Sequence, residues 1–462
     1  MSDAVKSMSR KDILGWILTI GLPIVLLLVP TTEVYTQPVK LFLAITIFAI
    51  LTFAFENLNR TVVCLAFPVL YIILKVAPAN IVLSPWTQNV PWMVLGGLLL
   101  AEVLTYNGFL KRIAYKCIIL TGGSFTGILV GLALAGIILN LMIPGKVAIP
   151  MAALALGLCN ALNLGKSKES AAILLAAATG AVAPPMLFLY YPTFFMMVNA
   201  GKEVTGELQL GWADYFINNA PGLIFIALVV VAARFLFKPD RPINGKAYFE
   251  AEYKELGNMS SSEKKSLVIV LFLFIALLTT NYHGIDAGWC FALIPLLCFL
   301  PGINVAPTSI LQKADFSFII FVASCMAIGS TAGSLGIGQI VADLALPVLQ
   351  GKDVSVVMIA IWLICFLLNF LLTPLAIMSA FSLPMASIAM ELGINPLAVY
   401  FAMTNGLDQI ILPYEYALYM VYFSFGLISL KDWMKFFSAK SLIAFVYFVL
   451  ILIPYWRFVG FM

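Results

Sequence analysis

Apolar runs longer than about 18 residues recur along this chain from Ile13 to its last line, and a run of that length with few charges can cross a bilayer as one α-helix. No other feature constrains the fold so strongly, because hydrocarbon contains no water to bond exposed backbone groups. The charge inventory agrees. The 462 residues hold 26 basic and 22 acidic side chains, 10% of the chain, where a soluble domain carries about 25%. That deficit excludes a soluble multidomain enzyme, a disordered protein and a nucleic-acid binder. Six of the seven cysteines (Cys64, Cys159, Cys290, Cys298, Cys325, Cys365) sit in apolar runs without CxxC or Cys/His pairing, so they read as buried thiols and not as a disulfide framework or zinc site. His283 is the one histidine and falls at an expected loop. With no HExxH pair and no GxxxxGK[ST] loop, neither an enzyme, a metal, a cofactor nor a nucleotide is expected.

The runs thread as spans at 13–30, 38–55, 61–77 and 91–108, an interrupted stretch at 111–200, and a span at 220–237. A charged segment, 238–265, divides the chain; spans at 266–282, 287–303 and 316–335, a second interrupted stretch at 353–425 and a last span at 440–460 follow. Cytoplasmic loops hold the excess of Lys and Arg. If each interrupted stretch contains a re-entrant hairpin plus one span, all but six basic residues lie inside. Lys40, Lys75, Lys202, Lys352 and Arg457 fall outside, and Lys146 falls in neither compartment. The expectation is an all-α polytopic membrane protein of about 11 transmembrane helices and two hairpins, multi-pass in the cell membrane, N-terminus cytoplasmic and C-terminus extracytoplasmic.

The two interrupted stretches also resemble each other. Gly108-Phe-Leu-Lys-Arg-Ile-Ala114 answers to Gly336-Ile-Gly-Gln-Ile-Val-Ala342, Asn140-Leu-Met-Ile-Pro144 to Asn369-Phe-Leu-Leu-Thr-Pro374, and Pro184 to Pro413. In the threading the copies enter from opposite sides, which makes an inverted-topology repeat, the sequence pointer to a secondary transporter with a midplane site. Breaks are expected around Pro144-Gly145, Gly180 to Pro185, Thr373-Pro374, and Gly406 to Pro413. At the hairpin tips a proline opens the returning arm, where its missing N–H is no loss. The next free N–H groups and the positive end of the helix dipole suit a carboxylate. The substrate-binding candidates are therefore Asn140, Pro144, Gly145, Lys146, Thr179, Asn369, Thr373, Pro374, Ala376 and Tyr414.

Three charges stand apart. Lys146 lies two positions past a tip, and an ammonium at the bilayer centre costs at least about 2.5–3.5 kcal/mol. Such a residue faces a cavity, pairs with an acid or contacts a substrate anion, unless the hairpin is misplaced and Lys146 snorkels to the cytoplasmic face. Asp408 and Glu415, seven apart in Thr404-Asn-Gly-Leu-Asp408-Gln-Ile-Ile-Leu-Pro-Tyr-Glu415, are candidates for an ion pair with Lys146, a proton relay or a cation site. Lys146, Asp408 and Glu415 are thus the coupling candidates. Tyr190, Tyr191, Tyr414, Tyr416 and Tyr419 cluster beyond the breaks, most of them explained as an interfacial aromatic belt. Glu102 interrupts an apolar run and is expected on a protein-facing side.

Met93-Val-Leu-Gly-Gly-Leu-Leu-Leu-Ala-Glu102, Asn107 to Ala114, the two hairpins, Gly426-Leu-Ile-Ser-Leu-Lys-Asp432 and the closing Ile453-Pro-Tyr-Trp-Arg-Phe-Val-Gly460 make nearly the whole chain resemble the divalent anion:sodium symporter family of INDY-type dicarboxylate and citrate transporters. The resemblance implies a homodimer with a scaffold domain and a transport domain that moves as an elevator. The expected layout is 1–110 first-repeat scaffold, 111–237 first-repeat transport elements, 238–265 linker, 266–350 second-repeat scaffold, and 351–462 second-repeat transport elements with the last helix. Where that family carries Ser-Asn-Thr at each tip, this chain has Pro144-Gly145-Lys146 and Pro374-Leu375-Ala376. The sodium-site hydroxyls and amides are gone. The expected function is an elevator-type secondary transporter of small carboxylates, C4-dicarboxylate or 2-oxo acid, by sodium-independent exchange or proton coupling, with Lys146 supplying the charge a sodium ion would bring. The alternative is a cation/proton antiporter or a carrier of an amino-acid-like zwitterion using Asp408 and Glu415.

Overall fold

The structure, a computed structural model, describes residues 10–462 except 56, 144–146, 184–185, 189–191, 209, 241, 315, 338–339, 341–346, 348–349 and 371–373. Among the described residues all regular structure is helical, with no strand. In chain order the first helices are α1 (Arg10–Leu28), α2 (Gln37–Phe55), α3 (Arg60–Ile73), α4 (Asn89–Tyr106), α5 (Phe109–Leu120), α6 (Phe125–Met142) and α7 (Ala148–Ala161). Then come α8 (Lys168–Val182), α9 (Pro192–Ala200), α10 (Trp212–Asn219), α11 (Gly222–Leu236), α12 (Lys246–Glu255), α13 (Ser261–Leu278) and α14 (Ala287–Leu293). Of the α-helices of six or more residues, those that remain are α15 (Phe316–Ser334), α16 (Val354–Leu368), α17 (Pro374–Glu391), α18 (Pro396–Leu407), α19 (Ala417–Ser424), α20 (Leu430–Tyr447) and α21 (Ile453–Phe458).

Length and composition suit α4, α6, α15 and the continuous Leu430–Phe458 stretch to crossing a membrane; the α10–α11 pair, bent by 47°, is a fifth such segment among the described residues. In Leu430–Phe458 the wider π-turn Phe448–Leu452 joins α20 to α21. Pro454 lies just beyond it and has no N–H to give the carbonyl of Leu450, so the helix adjusts locally instead of ending.

Two compact units share the chain discontinuously. The first comprises residues 1–91, 193–208 and 316–403. Its core is the crossing of α3 and α15, where Ser324 Oγ donates to the Cys64 carbonyl at 2.7 Å and Phe53 meets Phe321 edge-on. A side chain on Gly329 would lie 2.5 Å from the Ala200 Cα, so only glycine lets α9 and α15 approach this closely.

The second unit comprises residues 92–192, 209–315 and 404–462. Its centre is α8, in which every residue from Glu169 to Val182 is buried. Ala-rich composition allows that: small side chains let α6, α7, α11 and α20 all pack against it. A Ser167/Ser170 capping box starts α8, and Glu169 accepts the Asp240 N–H at 2.8 Å, tying the helix start to the charged segment.

That charged segment is anchored by one buried ion pair. Arg112 Nε lies 2.6 Å from Glu263 Oε1, and the guanidinium also donates to the carbonyls of Gly257 and Leu256 at 2.9 and 3.1 Å. Glu263 closes a capping box on Ser260 at the start of α13. Burial pushes its carboxyl upward, but the hydrogen bonds from Arg112 and Ser260 outweigh burial and hold it below the ordinary carboxylate value. Breaking a buried pair costs about 3–5 kcal/mol, so Arg112→Ala should lower the melting temperature of the purified protein. A carboxyl depressed in the folded state stabilises above its unfolded pKa of about 4.3. Wild-type stability should therefore fall as pH drops through and below that value, with a shallower fall in Arg112→Ala; equal slopes in the two proteins would contradict the pairing.

Candidate functional site

The site is built within the second unit, where α8 ends and where α18 gives out beyond Leu407. Proline sets the first break. Pro184 and Pro185 carry no N–H, so the carbonyls four residues earlier, those of Gly180 and Ala181, lose their helical donors. Asn140 replaces them: its Nδ2 donates to the Ala181 carbonyl at 2.9 Å and lies 3.4 Å from that of Gly180. It also donates to Gly136 in its own helix at 2.9 Å. The reach is possible because α6 and α8 touch backbone to backbone. A Cβ on Gly136 would stand 2.1 Å from the Gly180 oxygen, and one on Gly180 2.5 Å from the Ala133 Cα.

The second break follows α18. Leu412, the residue before Pro413, is extended at φ −103°, ψ 147°, as proline requires of its predecessor. The freed backbone groups from Asp408 to Leu412 are bonded by side chains. Glu415 accepts the N–H groups of Ile411 and Leu412 at 3.0 and 2.9 Å. Lys440 Nζ donates to the Asp408 carbonyl at 2.7 Å, and Ser441 Oγ reaches the Ile410 carbonyl at 3.4 Å. Lys440 also pairs with the Asp408 carboxylate at 2.7 Å and donates to Gln409 Oε1 at 3.0 Å. Tyr419 donates to the other Asp408 oxygen at 3.4 Å. Lys440 and Glu415 are each 1% exposed, so these are bonds made out of contact with solvent.

The predicted residues distribute as follows. Asn140 lies at the first break. Thr179 is fully buried, its hydroxyl bonded back to the Leu175 carbonyl at 2.9 Å. Asp408 and Glu415 occupy one break in different roles, the first paired to Lys440 and the second holding backbone. Pro144, Gly145, Lys146 and Thr373 lie outside the described residues, as do Tyr190 and Tyr191. On either side of 144–146, Ile143, Val147 and Ala148 are buried, and Tyr422 of α19 donates to the Ala148 carbonyl at 2.8 Å. In the first unit, Asn369 is buried at the end of α16, Pro374 opens α17 and Ala376 follows two positions on. Tyr414, in the second unit, lies in the single turn Pro413–Glu415.

Lys440 was not singled out by sequence, because the charged flank Leu430-Lys-Asp-Trp-Met-Lys435 precedes it and makes it read as the last basic residue before a span. The available signal was periodicity: Trp433, Phe436, Phe437, Lys440, Ala444 and Tyr447 form the buried stripe of α20, and a lysine inside such a stripe needs a partner. Asn140→Leu, branched at the same carbon, should lower stability by about 1–3 kcal/mol by leaving break carbonyls unbonded; an unchanged thermal melt would contradict the bonding.

Residues 10–462 match the family described as the sodium:sulfate symporter transmembrane region. The L-tartrate/succinate antiporter of Shigella sonnei (strain Ss046) is 25% identical over 249 residues, 52% of this chain and 51% of the relative. That of Escherichia coli (strain K12) is 24% identical over 248 residues, with the same shares. The chain thus spans about half the length of the curated relatives it matches. Among solved structures, the Alcanivorax borkumensis YdaH transporter aligns with a TM-score of 0.60 at 14% identity over 98% of this chain and 99% of that one. Neisseria gonorrhoeae MtrF, described with a class of antimetabolite efflux pumps, aligns at 0.58 and 12% over 97% and 95%. At these identities the structural likeness is one of fold. Taken with the helical, multi-pass architecture, the match across nearly the whole length means that the chain belongs to the sodium:sulfate (divalent anion:sodium) symporter family of membrane transporters.

Proposed function

We propose that the protein is a secondary active transporter that exchanges small carboxylates, C4-dicarboxylates or 2-oxo acids, across the cell membrane without sodium. The observation that carries this reading is the pair of helix starts that follow the two expected tips. α7 begins at the buried Ala148 and α17 at Pro374, and the gap from the preceding helix is the same length in both cases. A buried helix N-terminus offers free N–H groups to a carboxylate, and each unit supplies one such terminus. Lys146 precedes α7 by two positions in the sequence, and a cation there suits an anionic substrate. The L-tartrate/succinate antiporters support the substrate class and the exchange mode.

The arrangement behind this function has 11 spans and two opposed hairpins in an inverted repeat, a scaffold and a transport domain, and a homodimer working as an elevator. The N-terminus is cytoplasmic and the C-terminus extracytoplasmic. The rival reading, a cation/proton antiporter or zwitterion carrier using Asp408 and Glu415, is disfavoured by their bonding: Asp408 is paired to Lys440 and Glu415 is committed to two backbone N–H groups.

Proteoliposomes loaded with unlabelled succinate should take up labelled succinate or tartrate at a rate indifferent to an imposed sodium gradient. A charge-assisted bond contributes about 1.5–3 kcal/mol, so Lys146→Ala should weaken apparent affinity roughly tenfold or more. Strong sodium stimulation, or dicarboxylate exchange that survives Lys146→Ala unchanged, would overturn the proposal.

A further inference from the structure

The three hydrogens of the Lys440 ammonium meet three oxygens of one short turn: the Asp408 carbonyl and Asp408 Oδ2, both at 2.7 Å, and Gln409 Oε1 at 3.0 Å. An ammonium has three donors and no acceptor, so its bonding is complete. The rest of its surround is aromatic. The rings of Tyr419, Phe225 and Phe437 stand 5.5, 5.7 and 6.0 Å from Nζ, within the range where a ring face attracts a cation. Carboxylate, backbone carbonyl, amide oxygen and a ring wall form a receptor for a small monovalent cation; Phe437 comes from α20 itself, and every other part comes from the α18 break, α11 and α19, independent of the helix that supplies the cation.

We propose that the Asp408–Gln409 turn is a monovalent-cation site whose occupant, the Lys440 ammonium, is tethered to α20, and that the site accepts a free ammonium or small alkylammonium ion once the tether is removed. The helix break imposes the demand for charge. Its carbonyl and carboxylate oxygens converge away from water, and unpaired buried oxygens of this kind are costly. A lysine that only packed its stem would need neither the convergence of three oxygens nor three ring faces. With a covalently held cation in place, this break has no position for a diffusible one, which gives the protein a site-specific reason for sodium indifference.

The test is a thermal melt of the full-length Lys440→Ala protein in detergent, in chloride salts of choline, sodium, ammonium, methylammonium and propylammonium at equal ionic strength. In choline the variant should melt well below wild type. Ligand binding to the folded state alone raises stability by mass action, so ammonium should recover roughly 2–4 °C or more. Propylammonium should recover more, because its alkyl chain refills the space of the lysine stem. Wild type should not respond, and adding Asp408→Asn to Lys440→Ala should abolish the response. Equal melting in all salts, failure to obtain folded variant in any of them, or a response that persists in wild type or in the double variant would each overturn the site. The melt is blind to what the protein carries, so its failure leaves carboxylate exchange standing, and failed succinate exchange leaves the cation site standing.

Discussion

Inside a bilayer a helix can stop only where something other than water bonds the backbone groups it frees, and the architecture of this protein follows from that requirement. Two prolines deprive Gly180 and Ala181 of their donors, and a third holds Leu412 extended. Each break then needs a polar side chain delivered to it with hydrogen-bond accuracy. Asn140 serves the first, and Lys440, Ser441 and Glu415 serve the second. The close approach of Gly136 to Gly180 is a consequence of the same demand, since an asparagine amide reaches a neighbouring carbonyl only if the two backbones nearly touch.

The two breaks solve one problem with different chemistry. A neutral amide suffices where only carbonyls are exposed. At the second break an acid, Asp408, sits at the point of interruption, and the donor that meets its carbonyl must also neutralise its carboxylate. Lysine does both. The two breaks therefore differ in electrostatics: the first is met by a neutral amide and the second holds a compensated acid.

The parts of this structure readable in the sequence were those fixed by local covalent facts. Apolar run length gave the helices, proline gave the break at Leu412 and the start of α17, and Asn140 stood one turn before a proline. What escaped was set by tertiary placement. Arg112 and Glu263 are 151 residues apart, and nothing near either names the other. Lys440 looked like a flanking charge because its neighbours Lys431 and Lys435 are, and only the packing of α20 against α8 and α11 carries it to Asp408. Glu415 is the intermediate case. Its bonds to residues three and four positions earlier are local, yet a carboxylate holding its own preceding turn resembles in sequence a carboxylate waiting for a ligand.

Side-chain support of broken backbone is tested most directly by amide hydrogen exchange across residues 408–415 in wild type and in Glu415→Ala. The bonds described here predict slow exchange at Ile411 and Leu412 in wild type, accelerated locally in the variant while α8 and α20 stay protected. Exchange at those two amides that is fast in wild type, or unchanged by loss of the carboxylate, would contradict them.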